Sequence, residues 1–443
     1  MTKDGDSSAP SFGPPYSLAV LVKMAKTKTK SNSKGKDILR STTTPLVKSL
    51  PKSSPRSTED LLTEAAELLE KSQPELALPL AEQALQQLEA ERQSQSETDS
   101  IDTLLQLAAQ GKPTLPEALV VEAEIQLALG DADSARRSFS RAVQIDQNGA
   151  LVSAEPWLWL AQLCEEGGRE SVSYFEKATE VLRNEIDVLE DDDAKEIDQT
   201  VTILDQKRAK LADALCAMAE VYMTDLSWED DAEQRCETLV TEAVAVCPER
   251  LSAGVLQTLA SVRISQERIE DARQAVRRSM GIWKDIPADV ESDSRPDFAT
   301  RVSLSRLLME VEAEPEAMTV LEGLIREDDQ SVESWYLGGW CQVLMSQKPE
   351  MPSEGLSKSQ ELAKTWLDNC LRLYRVQDYE DDRLREHALE LVQQLNKSLG
   401  VDDQMDDDDA WEDEEEEDGE ENGDVEVEVN GHDEQKDHDV EMT

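Results

Sequence analysis

The chain has 443 residues, with 96 Asp or Glu against 45 Lys or Arg and a formal net charge of −51. A body this negative repels phosphate backbones, so direct nucleic-acid binding is not expected; the charge reads either as attraction for basic polypeptides over about a Debye length, roughly 8 Å at physiological salt, or as a means of keeping the chain soluble. Six cysteines without a C-x-x-C pair and three histidines, two of them near the C-terminus, exclude a zinc or iron site and point to a reducing compartment; no metal and no cofactor is expected.

In chain order, residues 1–56 come first, with eleven Lys or Arg, three Asp and little apolar periodicity, and read as a disordered basic segment. Leu18 to Val22 is too short for a signal-peptide core, and no stretch is long enough to span a membrane. The text from Met24, MAKTKTKSNSKGKD, looks like a natural protein start. Lys26, Lys28, Lys30, Lys34 and Lys36 are interleaved rather than clustered, and read either as a solvated arm or as an import signal.

From residue 57 a helical signature recurs: small residue, larger apolar residue, small residue, at spacings that share one helix face. It is clearest at Ala135, Phe139 and Ala142, at Ser171, Phe175 and Ala178, and at Ala272, Val276 and Ser279. A preceding helix carries a bulky residue, an apolar one and a small one, as at Trp157, Leu160 and Ala161 or at Leu256, Leu259 and Ala260. Together these are the two helices of a tetratricopeptide (TPR) repeat.

The register gives seven candidate repeats. The first pairs Leu61 and Ala65 with Ala77, Ala81 and Ala84; Pro79 should kink or shorten its second helix. The second pairs Leu119 and Ala123 with the Ala135 set, and the third is the Trp157 repeat, shortened at its turn. Leu215, Met218, Ala219 and Tyr222 with Cys236, Val240, Ala243 and Pro248 make the fourth, after the acidic stretch Glu185 to Asp198, which is placed between repeats. The Leu256 to Ser279 unit is the fifth. The sixth is weak, running from Val302 to Met309 and through Ala317, Leu321 and Leu324, with Arg306 beside Ser305. The seventh opens at Trp335 to Cys341 and resumes at Ala363, Leu367 and Cys370. Asp381 to Leu399, apolar at Leu384, Ala388, Leu391, Val392 and Leu395, reads as the capping helix that covers the last open face. The expected fold is all-α: a superhelical solenoid over residues 57–401 with disordered ends.

Residues 402–443 hold 23 Asp or Glu against one Lys, so a net −37 remains on 57–401 once both ends are set aside. The tail cannot bury enough apolar surface to fold, and its lone Trp411 is either a transient contact or a solvated residue. The chain contains no phosphate-binding glycine loop, dinucleotide fingerprint or nucleophile elbow, so no enzyme activity and no catalytic residue is expected.

The run SVESWYLGGWC (Ser331 to Cys341), a following Pro-containing loop, CLRLY, HALEL at His387 and the tail DDDDAWEDEEEEDG stand in an order that resembles the eukaryotic assembly chaperones dedicated to the large-subunit ribosomal protein L-four. The resemblance covers roughly residues 57 to 420. It implies a TPR protein that captures newly made L-four, shields its long basic internal loop and accompanies it from cytoplasm to nucleus, without nucleotide or metal. The expected partner is that basic protein, with an import receptor as a further one; no nucleic acid or membrane is expected, and the expected state is a monomer.

TPR grooves are lined mainly by the first helix, just before and after its small residue. That rule nominates Glu124, Glu155, Gln162, Glu165, Glu166, Asp213, Glu220, Glu310, Tyr336 and Trp340 as client-binding residues. For the acidic ones the plainer reading is a solvated face, and for Trp340 it is inter-repeat packing. A TPR-type histone chaperone is the alternative function, with a general TPR interaction scaffold behind it.

Overall fold

Small residues at fixed helical spacing let two helices come close, and the larger residue between them fills the space that remains. In a computed structural model, which describes residues 56–94, 101–191, 198–287, 290, 292–348 and 353–400, this pattern builds sixteen α-helices and one short 3-10 turn, with no strand among the described residues. Seven hairpins follow the seven repeats: α1 (Thr58–Glu70) with α2 (Pro74–Ser94), then, after α3 (Ile101–Ala109), α4 (Leu115–Ala128) with α5 (Ala132–Ile145), α6 (Glu155–Gln162) with α7 (Gly168–Asp191), α8 (Asp198–Met223) with α9 (Ala232–Val246), α10 (Ala253–Ser265) with α11 (Ile269–Trp283), α12 (Phe298–Glu310) with α13 (Glu314–Glu327), and α14 (Val332–Gln347) with α15 (Ser353–Gln377). The cap is α16 (Asp382–Leu399). Every substantial helix contact joins elements of the same or adjacent hairpins, which is the defining property of a solenoid.

The repeat residues named above for the second helices are buried, except Pro248, which is half-buried and lies just past the end of α9, and so are the first-helix small residues Ala65, Ala123, Ala161, Ala219, Ala260 and Ser305. Two of the small positions are serines for a reason: Ser171 donates to the Ala161 carbonyl and Ser279 to that of Ala253, both at 2.7 Å, so the hydroxyl is satisfied inside the hairpin. Asp131, Asp297, Ser331 and Asp381 cap their helices by accepting from the backbone three residues on. Asp146, fully buried, accepts from the amides of Ala150, Leu151 and Val152 and so ties off the link between the second and third repeats.

Four features depart from the sequence reading. Pro79 lies inside α2, which nevertheless runs for 21 residues; the ring falls in the second turn and removes one early amide donor, and the helix continues beyond it. Helix α3 is an extra element that the repeat register does not contain. The acidic stretch from Glu185 is not a linker through its length: α7 continues to Asp191 and α8 begins at Asp198, with Lys207–Glu185 and Arg208–Glu190 pairs joining the two extended helices. The sixth repeat reads weakly because Arg301, only 7% exposed, sits among its core residues. Its guanidinium packs over Trp283 and Phe298, at 6.0 and 5.8 Å, and forms a two-pronged pair with Glu327 at 2.8 Å.

The seventh hairpin is the tightest. A Cβ on Gly338 would overlap the Trp366 ring, and one on Gly339 would lie 2.6 Å from Leu367 Cγ, so only glycine lets α14 and α15 meet here. Trp335 meets Trp366 edge-on at 4.8 Å. The N-terminal 1–55 and C-terminal 401–443 segments, including Trp411 and the basic lysines, lie outside the described residues.

Candidate functional site: the row of first helices

Once the small residue of a first helix is turned into its hairpin, the next residue points about 100° around the helix, away from that contact. Glu124 follows Ala123 in α4 and Glu220 follows Ala219 in α8 by this rule. Asp213 stands two turns before Glu220 on α8, and Glu155 opens α6. The four carboxylates form a chain of electrostatic neighbours across three repeats. Glu155 repels Glu124, Asp213 repels Glu220, and Lys210, which pairs with Glu155, sits between them. The chain extends to the fifth repeat through the Thr258 hydroxyl of α10, 3.5 Å from Glu220 Oε1.

These groups are partly stripped of water. Burial lifts the Glu124 pKa, helped by Glu155, and burial likewise raises Glu220 against the opposing Thr258 bond. Asp213 is pushed up to about 6 by burial, with Lys210 opposing. Asp213 is nonetheless solvent-exposed, so its carboxylate is within reach of a partner. Burial also acts upward on Glu155, but its bonds to Lys210 and Ser153 outweigh it and hold the carboxyl below its usual range.

The other nominated residues fall elsewhere. Glu165 and Glu166 line a separate cleft of about 560 Å³ with Arg136, Arg137 and Arg141 of α5, and Glu165 pairs with Arg136 at 2.8 Å. Gln162 is the exposed last residue of α6. Glu310 is exposed at the end of α12, where partial desolvation alone raises its pKa. Tyr336 and Trp340 join α14 to the cap: the Tyr336 hydroxyl lies 2.7 Å from His387 Nδ1, and Trp340 meets the His387 ring edge-on at 5.2 Å. Burial lowers the His387 pKa, which favours the neutral ring at this joint.

Sequence reasoning missed Lys210, because α8 begins well before the repeat register does. Arg306, by contrast, follows Ser305 and so occupies the position of Glu124 and Glu220, and the same rule nominates it. It pairs with Glu333 of α14, so the first-helix face in the sixth and seventh repeats carries matched charge.

On the second helices, arginines are committed to carboxylates of neighbouring repeats. Arg141 binds Glu89, Arg183 binds Glu242, Arg277 binds Glu316 and Arg278 binds Glu249, at 2.6 to 2.8 Å. Such exposed pairs are screened by solvent and add little to stability. Their larger effect is on distribution: these four arginines are committed along the second helices, while in the row from Glu124 to Glu220 it is Lys210 that pairs with Glu155. That arrangement suits an extended cationic polypeptide, which would supply the missing counter-charges. Among the described residues, no group of three His, Cys, Asp or Glu is placed to hold a metal ion, and no helix is long and apolar enough to cross a membrane.

No protein-family model matches the chain. A curated protein of Emericella nidulans, named probable assembly chaperone of rpl4, is 40% identical over 396 residues, covering 86% of this chain and 90% of the relative. A Schizosaccharomyces pombe protein of the same name is 35% identical over 285 residues, covering 63% and 79%. Among solved structures, the assembly chaperone of RpL4 (Acl4), residues 1–338, superposes with a TM-score of 0.57 at 42% identity, over 66% of this chain and 98% of that one. The resemblance read from the Ser331 to Cys341 run and the acidic tail is the same one.

Proposed function

The chain belongs to the family of rpl4 assembly chaperones, and from that premise we propose that it is a dedicated chaperone of the large-subunit ribosomal protein L4, whose basic internal loop it holds along the first-helix row. The observation that carries this reading is the set of four half-desolvated carboxylates from three repeats with a single lysine among them. A loop that later threads rRNA is basic and has no folded partner when newly made; substitute counter-charges keep it from aggregating and from RNA. The act is binding and release, with no bond made or broken. The chaperone works as a monomer, travels with its client from cytoplasm to nucleus, and meets an import receptor on the way.

The test is charge reversal in the row. Glu124→Lys, Asp213→Lys and Glu220→Lys together should weaken binding of an L4-loop peptide by at least about tenfold at low salt and flatten its salt dependence. Glu165→Lys, in the separate cleft, should change it little. Unchanged affinity in the triple variant, or an equal loss at Glu165, would place the client elsewhere. For the itinerary, a fluorescent fusion that never enters the nucleus would remove that part of the reading.

A further inference from the structure

We propose that Ser227, at the tip of the loop between α8 and α9, is a phosphorylation site for an acid-directed protein kinase. The site is separate from the first-helix row and stands or falls without it.

Surface loops are where modifying enzymes gain access, because a loop can be drawn out without breaking a helix. Residues 224–231 join α8 to α9, and the loop is held on both sides of its tip. Leu226 is buried, Asp225 accepts from the Gly168 amide at 3.0 Å, and Glu229, with its side chain 8% exposed, pairs with Arg169 at 2.7 Å. Between these anchors Ser227 is exposed and Trp228 is 74% exposed. Their own bonds stay within the loop: Ser227 Oγ donates to the Thr224 carbonyl and the Trp228 indole to that of Asp225, both at 3.0 Å. The tip can therefore be lifted while α8 and α9 keep their ladders.

The charge pattern beside the hydroxyl selects the enzyme class. Glu229, Asp230 and Asp231 follow Ser227 at the second, third and fourth positions without a break. Asp230 is exposed, and Asp231 is engaged only by an exposed Arg235, at 3.2 Å, so both carboxylates are open to a basic substrate groove. Other hydroxyls that precede an acid lack one of these conditions. Ser173, Thr319 and Thr365, each with Glu or Asp three residues on, lie inside α7, α13 and α15. Ser57, followed by Glu59 and Asp60, caps α1 by accepting from the Asp60 amide at 3.1 Å, and both acids already belong to that helix.

In the step itself, Ser227 Oγ attacks the γ-phosphorus of magnesium-bound ATP, the bond to the ADP oxygen breaks, and the hydroxyl proton passes to the kinase's catalytic carboxylate. ADP leaves, and the chain gains about −1.5 to −2 charges at pH 7. The phosphate stands two residues before Glu229, the partner of Arg169, and thus gives this largely exposed guanidinium a second and stronger acceptor where the loop meets the start of α7.

The full-length chain, incubated with magnesium-ATP and a purified acid-directed casein kinase, should take up phosphate at Ser227, located by mass spectrometry of its peptides. Asp230→Asn should lower the initial rate at that residue at least about tenfold, and Ser227→Ala should abolish that phosphopeptide alone. Asp225→Asn, which weakens the anchor to α7 and leaves the acidic run intact, should not lower the rate. A chain labelled only at other residues, or a rate indifferent to Asp230→Asn, overturns the assignment. So does an equal loss in Asp225→Asn, because the enzyme would then be reading the shape of the loop and not its charge.

Discussion

The two ends of the first-helix face are built on opposite rules. From the second to the fourth repeat it presents Glu124, Glu155, Asp213 and Glu220, three of them with pKa values raised by burial. From the sixth repeat to the cap it presents the Arg306–Glu333 pair and the Tyr336, Trp340 and His387 cluster, in which polar groups are matched within the fold. One region holds electrostatic cost that a partner can relieve; the other is already satisfied and closes the stack. Under the proposed function, stability and binding fall to different repeats of one continuous architecture.

The sharpest way to break this contrast is at the satisfied end. Trp366→Ala removes the ring that fills the space beside Gly338 and Trp335, and should cost about 3–5 kcal/mol, read locally as faster amide exchange in α14 and α15, while client affinity changes little. Gly338→Ala, which forces a methyl into the same ring, should cost about 1–3 kcal/mol with the same local signature. A large loss of client binding in either variant, with α4 to α8 intact, would make this end part of the client site.

Arg301→Lys should cost about 1–2 kcal/mol in urea unfolding, since lysine keeps the charge but loses the planar stacking and the two-pronged bond to Glu327. A neutral outcome would show that the arginine is tolerated in the sixth repeat rather than needed there.

The acidic end should respond in the reverse sense. Because the folded-state pKa of Asp213 is raised to about 6, its contribution to stability is fully present below the unfolded value near pH 4 and is lost as pH rises through about 6. Asp213→Asn should therefore be at least as stable as the unsubstituted chain at pH 7, by less than about 1 kcal/mol after solvent screening. The difference should vanish by pH 4, and the variant should bind client more weakly. An Asn variant less stable at pH 7 would mean that the carboxylate is structurally paired, against the contrast drawn here. Smallest of all, Arg278→Gln, which breaks an exposed bond to Glu249, should leave the urea unfolding midpoint and client binding unchanged.

The sequence carried the seven hairpins because the signal is steric. Ala77, Ala135, Ala272 and Ala363 are small where helices must touch, and no other property of the chain imposes that period. Features set by what lies outside that period were less legible. Arg301 hides a core position behind a charged name, and Arg306 beside Ser305 made the run from Val302 to Met309 read as a weak repeat. The extension of α7 and α8 beyond the standard hairpin brings Lys210 into the acidic row, and nothing in the repeat register reaches that far upstream of Leu215. For the site, stepping one residue past each small residue found Glu124 and Glu220, which lie together. The same step past Ala161 reaches Gln162, the last residue of α6, while Glu165 and Glu166 lie beyond the helix in the cleft with the arginines of α5.

Contact restricted to neighbouring hairpins has a mechanical consequence. Joints in such a stack act like springs in series: a load applied along the row is shared among them, and their small angular yields add. The molecule can lengthen or tighten its pitch around a segment of uneven bulk while each interface stays near its own minimum. Compliance of this kind belongs to the whole coil and to no single hinge, so stiffening one joint, for instance by a disulfide between adjacent repeats, would remove only that joint's share of the give.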